Sequence, residues 1–137
     1  MRRILVFGNS LVKGDSLPLK LAPRLARVFP EIEFIECDPS EDLESAIGGK
    51  ELNALDTAKG ILECVLVTDE KEIEFNRVYS LHDFGLGESI ALLRKARLLE
   101  KIRVFCVPEK IGEKKALEQL VALLKKSFRK EVKKKKN

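Results

Sequence analysis

Short apolar runs alternate along this chain with segments whose apolar residues recur at helical spacing. Runs of this length, closed by glycine, proline or an acidic residue, are typical of strands buried in a sheet. They predict strands at residues 3–8, 32–37, 51–55, 61–68 and 102–107. Apolar stripes and capping signals predict helices that begin near Ser16, near Asp38, at Leu86 and near Leu117.

This alternation predicts one three-layer αβα domain of the α/β class, built on a mostly parallel, twisted sheet of about five strands. Residues 56–60 separate the third strand from the fourth and are too few for a crossover helix. The fourth strand is therefore expected to run antiparallel at an edge of the sheet. We place the domain at residues 1–132 and a basic tail at residues 133–137.

Length and composition suit an ordinary globular protein. The chain has 137 residues, 45% of them hydrophobic, which is enough for a single core. It contains no apolar run of about eighteen residues and does not begin like a signal peptide, so we expect a cytoplasmic protein without a membrane segment. The 35% of charged residues is typical of a thermophilic source.

The net charge of +4 is unevenly distributed. The segment from Lys125 to Asn137 holds 8 of the 26 basic residues and 1 of the 22 acidic residues, a charge of +7, which leaves the preceding chain at −3. A mildly acidic body does not favour nucleic acid as a partner, and a terminal lysine run is typical of a solvated end.

The cysteine and glycine patterns exclude several common sites. Cys37, Cys64 and Cys106 each lie in an apolar run and lack the paired spacing of a zinc site, so we expect buried thiols. Residues 8–15 lack the Lys-Ser/Thr of a phosphate-binding loop, and Gly85-Leu86-Gly87 lacks the third glycine of a dinucleotide fingerprint.

Three acidic residues and the only histidine are expected at one edge of the predicted sheet. They are Asp15, Asp38 and Asp56, which follow the first three strands, and His82, which precedes the helix near the last parallel strand. Ligands bind at this edge in open α/β sheets. Carboxylate and imidazole donors suit a borderline divalent ion such as nickel or zinc. Asp38 is explained more simply as a helix cap, so the residues alone leave the other three as a candidate metal or acid–base site.

Four segments resemble, in order, the motifs of the nickel–iron hydrogenase maturation endopeptidases. They are Gly8-Asn9-x-Leu11-x-x-Gly14-Asp15, Asp56-Thr57-Ala58-x-Gly60, Ser80-Leu81-His82-x-x-x-Leu86 and Val107-Pro108-Glu109. The resemblance spans nearly the whole chain. It implies an enzyme that removes a C-terminal extension from the precursor of a hydrogenase large subunit after nickel has been inserted.

The resemblance also implies how this substrate is recognised. Nickel arrives with the precursor, and the matched positions assign its ligands as Asp15, Asp56 and His82. A site with affinity only for the nickel-loaded precursor restricts cleavage to finished substrate, and the metal can act as a Lewis acid. The sequence shows no evident Ser-His-Asp or Cys-His arrangement, so we expect hydrolysis without a covalent intermediate and leave the catalytic residues unassigned.

Two other functions remain open on the sequence. A receiver-like phosphoacceptor domain would have Asp56 after its third strand and Lys110 after its fifth, but Gly8-Asn9-Ser10 stands where that class has an acidic pair. A non-hydrolytic protein that binds the nickel site of the precursor would carry the same three ligands. The match to the endopeptidases also has departures, with Gly14 in place of an acidic residue and Asp38-Pro39-Ser40 in place of a glycine-rich segment.

Overall fold

The computed structural model describes residues 2–8, 16–37, 47, 49–69, 80–81 and 86–129. The strands in these ranges are β1 (Arg2–Val6), β2 (Ile32–Glu36), β3 (Glu51–Lys59), β4 (Val65–Val67), β5 (Ser80–Leu81) and β6 (Lys101–Pro108). The helices are α1 (Leu17–Val28), α2 (Leu86–Lys95) and α3 (Glu113–Leu124), and α3 continues into a π-helical turn at Lys125–Arg129. The helix predicted after Asp38 and the tail at residues 133–137 lie outside the described residues.

The main sheet has the strand order β2-β1-β3-β6-β4, and β5 pairs with β3 off this path. β1, β2, β3 and β6 are parallel to one another, whereas β4 runs antiparallel to β6. The α/β class and the antiparallel edge strand predicted from the sequence are therefore confirmed. No helix within the described ranges is long and apolar enough to cross a membrane.

Helices cover both faces of the sheet, so its central strands are buried along nearly their whole length. One core cluster joins Ile4 and Phe105 to residues of α1 and α3. A second cluster joins Leu5, Ala54 and Val104 to residues of α2. Adjacent strand residues belong to different clusters because their side chains alternate between the two faces.

β3 is longer than the sequence predicted, and this changes the setting of Asp56. The prediction ended the strand at residue 55 and made residues 56–60 a connection to the next strand, and that boundary was wrong. β3 continues to Lys59 because β6 pairs with it as far as Ala58 and because β5 pairs with Ala58 and Lys59 from the other side. Asp56 therefore lies inside a paired strand and not in a loop.

β4 is shorter than predicted, since it covers only Val65–Val67. It is separated from β3 by β6, so residues 60–64 must pass over the carboxyl end of β6. Asp56 and Val65 pair with Cys106 from opposite sides. Two strand spacings therefore separate Asp56 from Val65, which puts their Cα atoms about 10 Å apart. We call residues 60–64 the β3–β4 link.

A charged network lies toward the amino ends of the parallel strands. Nη1 of the buried Arg103 donates to Glu51 Oε1 and, at 3.2 Å, to Asn53 Oδ1. Glu51 Oε2 also lies 3.7 Å from Nε of Arg2. Both guanidinium groups lie over the Phe128 ring, at 4.4 Å from its centroid for Arg2 and 5.1 Å for Arg103. The network thus holds the π-helical turn against the sheet, away from Asp56.

Candidate functional site

The carboxyl ends of β1, β2 and β3 meet at one edge of the sheet, as a parallel topology requires. The amide of Phe7 donates to the carbonyl oxygen of Leu55 at 2.9 Å, and the amide of Cys37 donates to that of Val6 at 2.9 Å. These bonds continue the pairing by one residue beyond β1 and β2. The chain therefore leaves β1 directly beside Asp56, and this edge is the candidate site.

Asp56 is fully buried, with 0% of its surface exposed. Its Oδ1 accepts a hydrogen bond from the amide of Thr57 at 2.8 Å, which fixes the orientation of the carboxyl group. Alternation along β3 puts it on the same face as Ala54 and Ala58, whose side chains belong to the α2 cluster. Burying a carboxylate is costly without compensation, and such groups concentrate at functional sites. A carboxylate at the position of Asp56 is therefore well suited to bind a cationic ligand at this edge.

The other two predicted ligands, Asp15 and His82, lie outside the described residues. Their chain neighbours are described. Ser16, which follows Asp15, is buried at the N-cap position of α1. Leu81, which precedes His82, pairs with β3 two residues beyond Asp56. The structure thus brings the end of β5 next to the strand that carries Asp56, while the three-residue site remains a prediction.

β5 is the element of this edge that the sequence did not reveal. Ser80 and Leu81 form a strand of only 2 residues, too short to leave a periodic pattern. Their pairing depends on the extension of β3, because their partners are Lys59 and Ala58.

The described part of the chain holds one of the three predicted ligands. Within it, no three His, Cys, Asp or Glu side chains come together as a metal-binding cluster. The carboxylate oxygens of Asp56 have the donor chemistry that hard and borderline divalent ions accept. Asp56 can therefore supply one oxygen ligand to a metal site that combines oxygen and nitrogen donors.

The three cysteines are buried, and none of them forms a disulfide bond. This confirms the interpretation of Cys37, Cys64 and Cys106 as small hydrophobic residues. Burial, and to a smaller degree the neighbouring Glu63, raises the pKa of Cys64 to about 12. The reactive thiolate form of Cys64 is therefore scarce near neutral pH.

The β3–β4 link is the second structured feature of this edge. Gly60 begins it with a φ of 81°, a left-handed conformation that glycine adopts readily. At its other end, the amide of Cys64 donates to Oε1 of Gln119 at 2.8 Å, and Cys64 Sγ lies 4.0 Å from the carbonyl oxygen of Ala116. The link is thus fastened to α3 at the point where it enters β4.

The side-chain hydroxyl of Thr57 offers a test of hydrogen bonding near this edge. Its Oγ1 is buried and has no hydrogen-bond partner within the described ranges. Thr57→Val replaces the hydroxyl by a methyl group of similar shape, so the free energy of unfolding is expected to rise by about 1 kcal/mol and Tm by about 3 °C. Thermal denaturation checks this, with Thr57→Ser as the control that keeps the hydroxyl. A lower Tm for Thr57→Val would show that the hydroxyl has a partner beyond these ranges.

The fold is shared with hydrogenase maturation endopeptidases of known structure. Hydrogenase maturating endopeptidase HybD from E. coli superposes with a TM-score of 0.63 at 18% identity, over 93% of this chain and 94% of that chain. The NiFe hydrogenase maturation protease HybD from Thermococcus kodakarensis gives 0.60 at 20% identity, over 90% and 99%. The fold implied by the sequence resemblance is therefore confirmed.

A third solved structure extends this likeness without adding a function. An uncharacterized protein from Wolinella succinogenes matches with a TM-score of 0.58 at 15% identity, over 99% of both chains. No protein-family model matches this chain, and no curated protein matches it in sequence. At sequence identities this low, the structural likeness establishes the fold alone.

Proposed function

We propose that this protein is a hydrogenase maturation endopeptidase, which removes the C-terminal extension of a nickel-loaded large-subunit precursor. The observation that carries the proposal is the position of Asp56. The aspartate that matches the motif of these enzymes is fully buried at the carboxyl edge of the sheet. The same fold, over 93% of this chain, occurs in a protein named as such an endopeptidase.

In this proposal, nickel is part of the substrate. Asp15, Asp56 and His82 bind the ion that the precursor already carries, so the protein needs no resident metal. Two carboxylates and an imidazole form a donor set suited to a borderline divalent ion. Because nickel supplies much of the binding free energy, a precursor without it binds too weakly to be cleaved. Nickel occupancy thereby decides when the extension is removed.

The experiment is incubation of the purified protein with hydrogenase large-subunit precursors of its source organism, each prepared with and without nickel. Intact-mass spectrometry is expected to show a loss confined to the C-terminus of the nickel-loaded form. A stable complex with no mass loss would instead identify a non-hydrolytic nickel-site binding protein. The proposal would be refuted if the protein neither bound nor cleaved any of the precursors.

The structure disfavours the receiver-like alternative. That class has a parallel sheet throughout, whereas β4 is antiparallel. Lys110, the expected partner of Asp56, is exposed in the turn after β6. Incubation with acetyl phosphate is accordingly expected to leave Asp56 unlabelled.

A further inference from the structure

The β3–β4 link carries an unusually exposed leucine. Leu62 has 89% of its surface exposed, more than any other large apolar residue in the described ranges. The next is Leu92 of α2, at 68%. Packing within the described part of the chain therefore makes little use of the Leu62 side chain.

The link lies at the candidate site because of its connectivity. It crosses the carboxyl end of β6, the strand that separates Asp56 from Val65. Its exit into β4 is thus about 10 Å from Asp56, measured between Cα atoms. A protein that binds with its scissile segment at Asp56 also reaches the link, because interfaces of ordinary size cover about 800 Å² on each partner.

The link is held on both sides of Leu62. Ile61 is half-buried against the α2 cluster, whereas Cys64 is buried in the cluster of α1 and α3 and bonded to Gln119. The residues that anchor the link thus pack on opposite faces of the sheet. A side chain presented on an anchored link loses little conformational freedom when a partner covers it.

The surroundings of Leu62 have the character of a small contact site. Lys59, Gly60 and Glu63 are all exposed next to it, which gives one apolar tip with a polar border. Protein interfaces have this arrangement, in which a central apolar side chain is covered and the polar rim stays wet.

We propose that Leu62 is a docking contact for the hydrogenase large-subunit precursor and inserts into an apolar depression close to the C-terminal extension of that precursor. This inference rests on the proposed function, since it names a contact for the same substrate. Leu62 takes no part in the chemistry. It raises affinity for the precursor and so contributes to the choice of substrate.

The test compares Leu62→Gln with Leu92→Gln in cleavage of nickel-loaded precursor. Glutamine keeps the side-chain length and removes the apolar tip, and Leu92 is the matched exposed leucine, placed on α2. Leu62→Gln is expected to raise KM about tenfold and to leave kcat unchanged. The tenfold change corresponds to the binding free energy that is lost when one leucine side chain is no longer buried in the complex. Leu92→Gln is expected to leave both constants unchanged, and Leu62→Met to restore KM.

The possible results separate this inference from the proposed function. If the wild type cleaves the precursor and Leu62→Gln has the same KM as Leu92→Gln, the docking contact is refuted and the proposed function stands. A fall in kcat at constant KM would also refute docking. If the wild type neither binds nor cleaves nickel-loaded precursor, the proposed function and the contact both fail.

Discussion

Asp56→Asn is expected to lower the rate of precursor cleavage by about 100-fold or more, because it removes the negative charge that we propose binds nickel. Asparagine has the same shape and keeps an Oδ1 that can accept the amide of Thr57, a bond of 2.8 Å in the wild type. The substitution therefore changes the charge and leaves the local geometry intact. Cleavage of nickel-loaded precursor, followed by intact-mass spectrometry, measures the effect.

The same substitution is expected to leave the fold intact or to stabilise it. Asp56 is fully buried, and a neutral amide is less costly to bury than a carboxylate. Loss of activity with an unchanged or higher Tm would therefore separate a functional role from a structural one. Glu36→Gln is the control, since Glu36 is an exposed acid at the end of β2 on the same edge. If the Asp56→Asn variant cleaved the precursor at the wild-type rate, Asp56 would be excluded from the nickel site.

Asp56 also shows what the sequence could reveal about the site. The rule that ligands bind at the carboxyl ends of parallel strands needs only the order of strands and helices. It places Asp56 toward those ends, and the structure has Asp56 there. The depth of Asp56 could not be predicted, because it depends on how far β6 and β5 extend the pairing of β3. Those pairs are long-range and have no local signal. The same limit explains why the two-residue β5 was missed.

The strand after the β3–β4 link illustrates a second limit. The short connection correctly predicted that β4 is antiparallel and lies at an edge. It did not reveal that β6, which follows much later in the chain, is inserted between β3 and β4. Ile61 belongs to the link, but its apolar side chain packs against the core. It therefore extended the apolar run in the sequence, and the predicted strand was longer than Val65–Val67. All three proposed ligands, Asp15, Asp56 and His82, remain predictions from the sequence, and only Asp56 lies in the described ranges.

Glu51→Ala is expected to lower the free energy of unfolding by about 3 kcal/mol and Tm by about 10 °C. Its partner Arg103 has only 6% of its side chain exposed, so removal of the carboxylate leaves a buried guanidinium group without its counter-charge. Asn53 still accepts one hydrogen bond from Arg103 but brings no charge. Chemical and thermal denaturation measure the loss.

Glu33→Ala provides the matched control for the charge network. Its pair with Arg3 also joins a glutamate to an arginine, but both side chains are nearly half exposed, so the loss should stay within about 0.5 kcal/mol. Equal losses for Glu33→Ala and Glu51→Ala would contradict a buried role for Glu51. Because the network lies away from Asp56, Glu51→Ala should cleave precursor normally at temperatures where it is folded. Substitution of Glu51, toward the amino ends of the parallel strands, should therefore lower stability alone. Substitution of Asp56, toward their carboxyl ends, should lower cleavage alone.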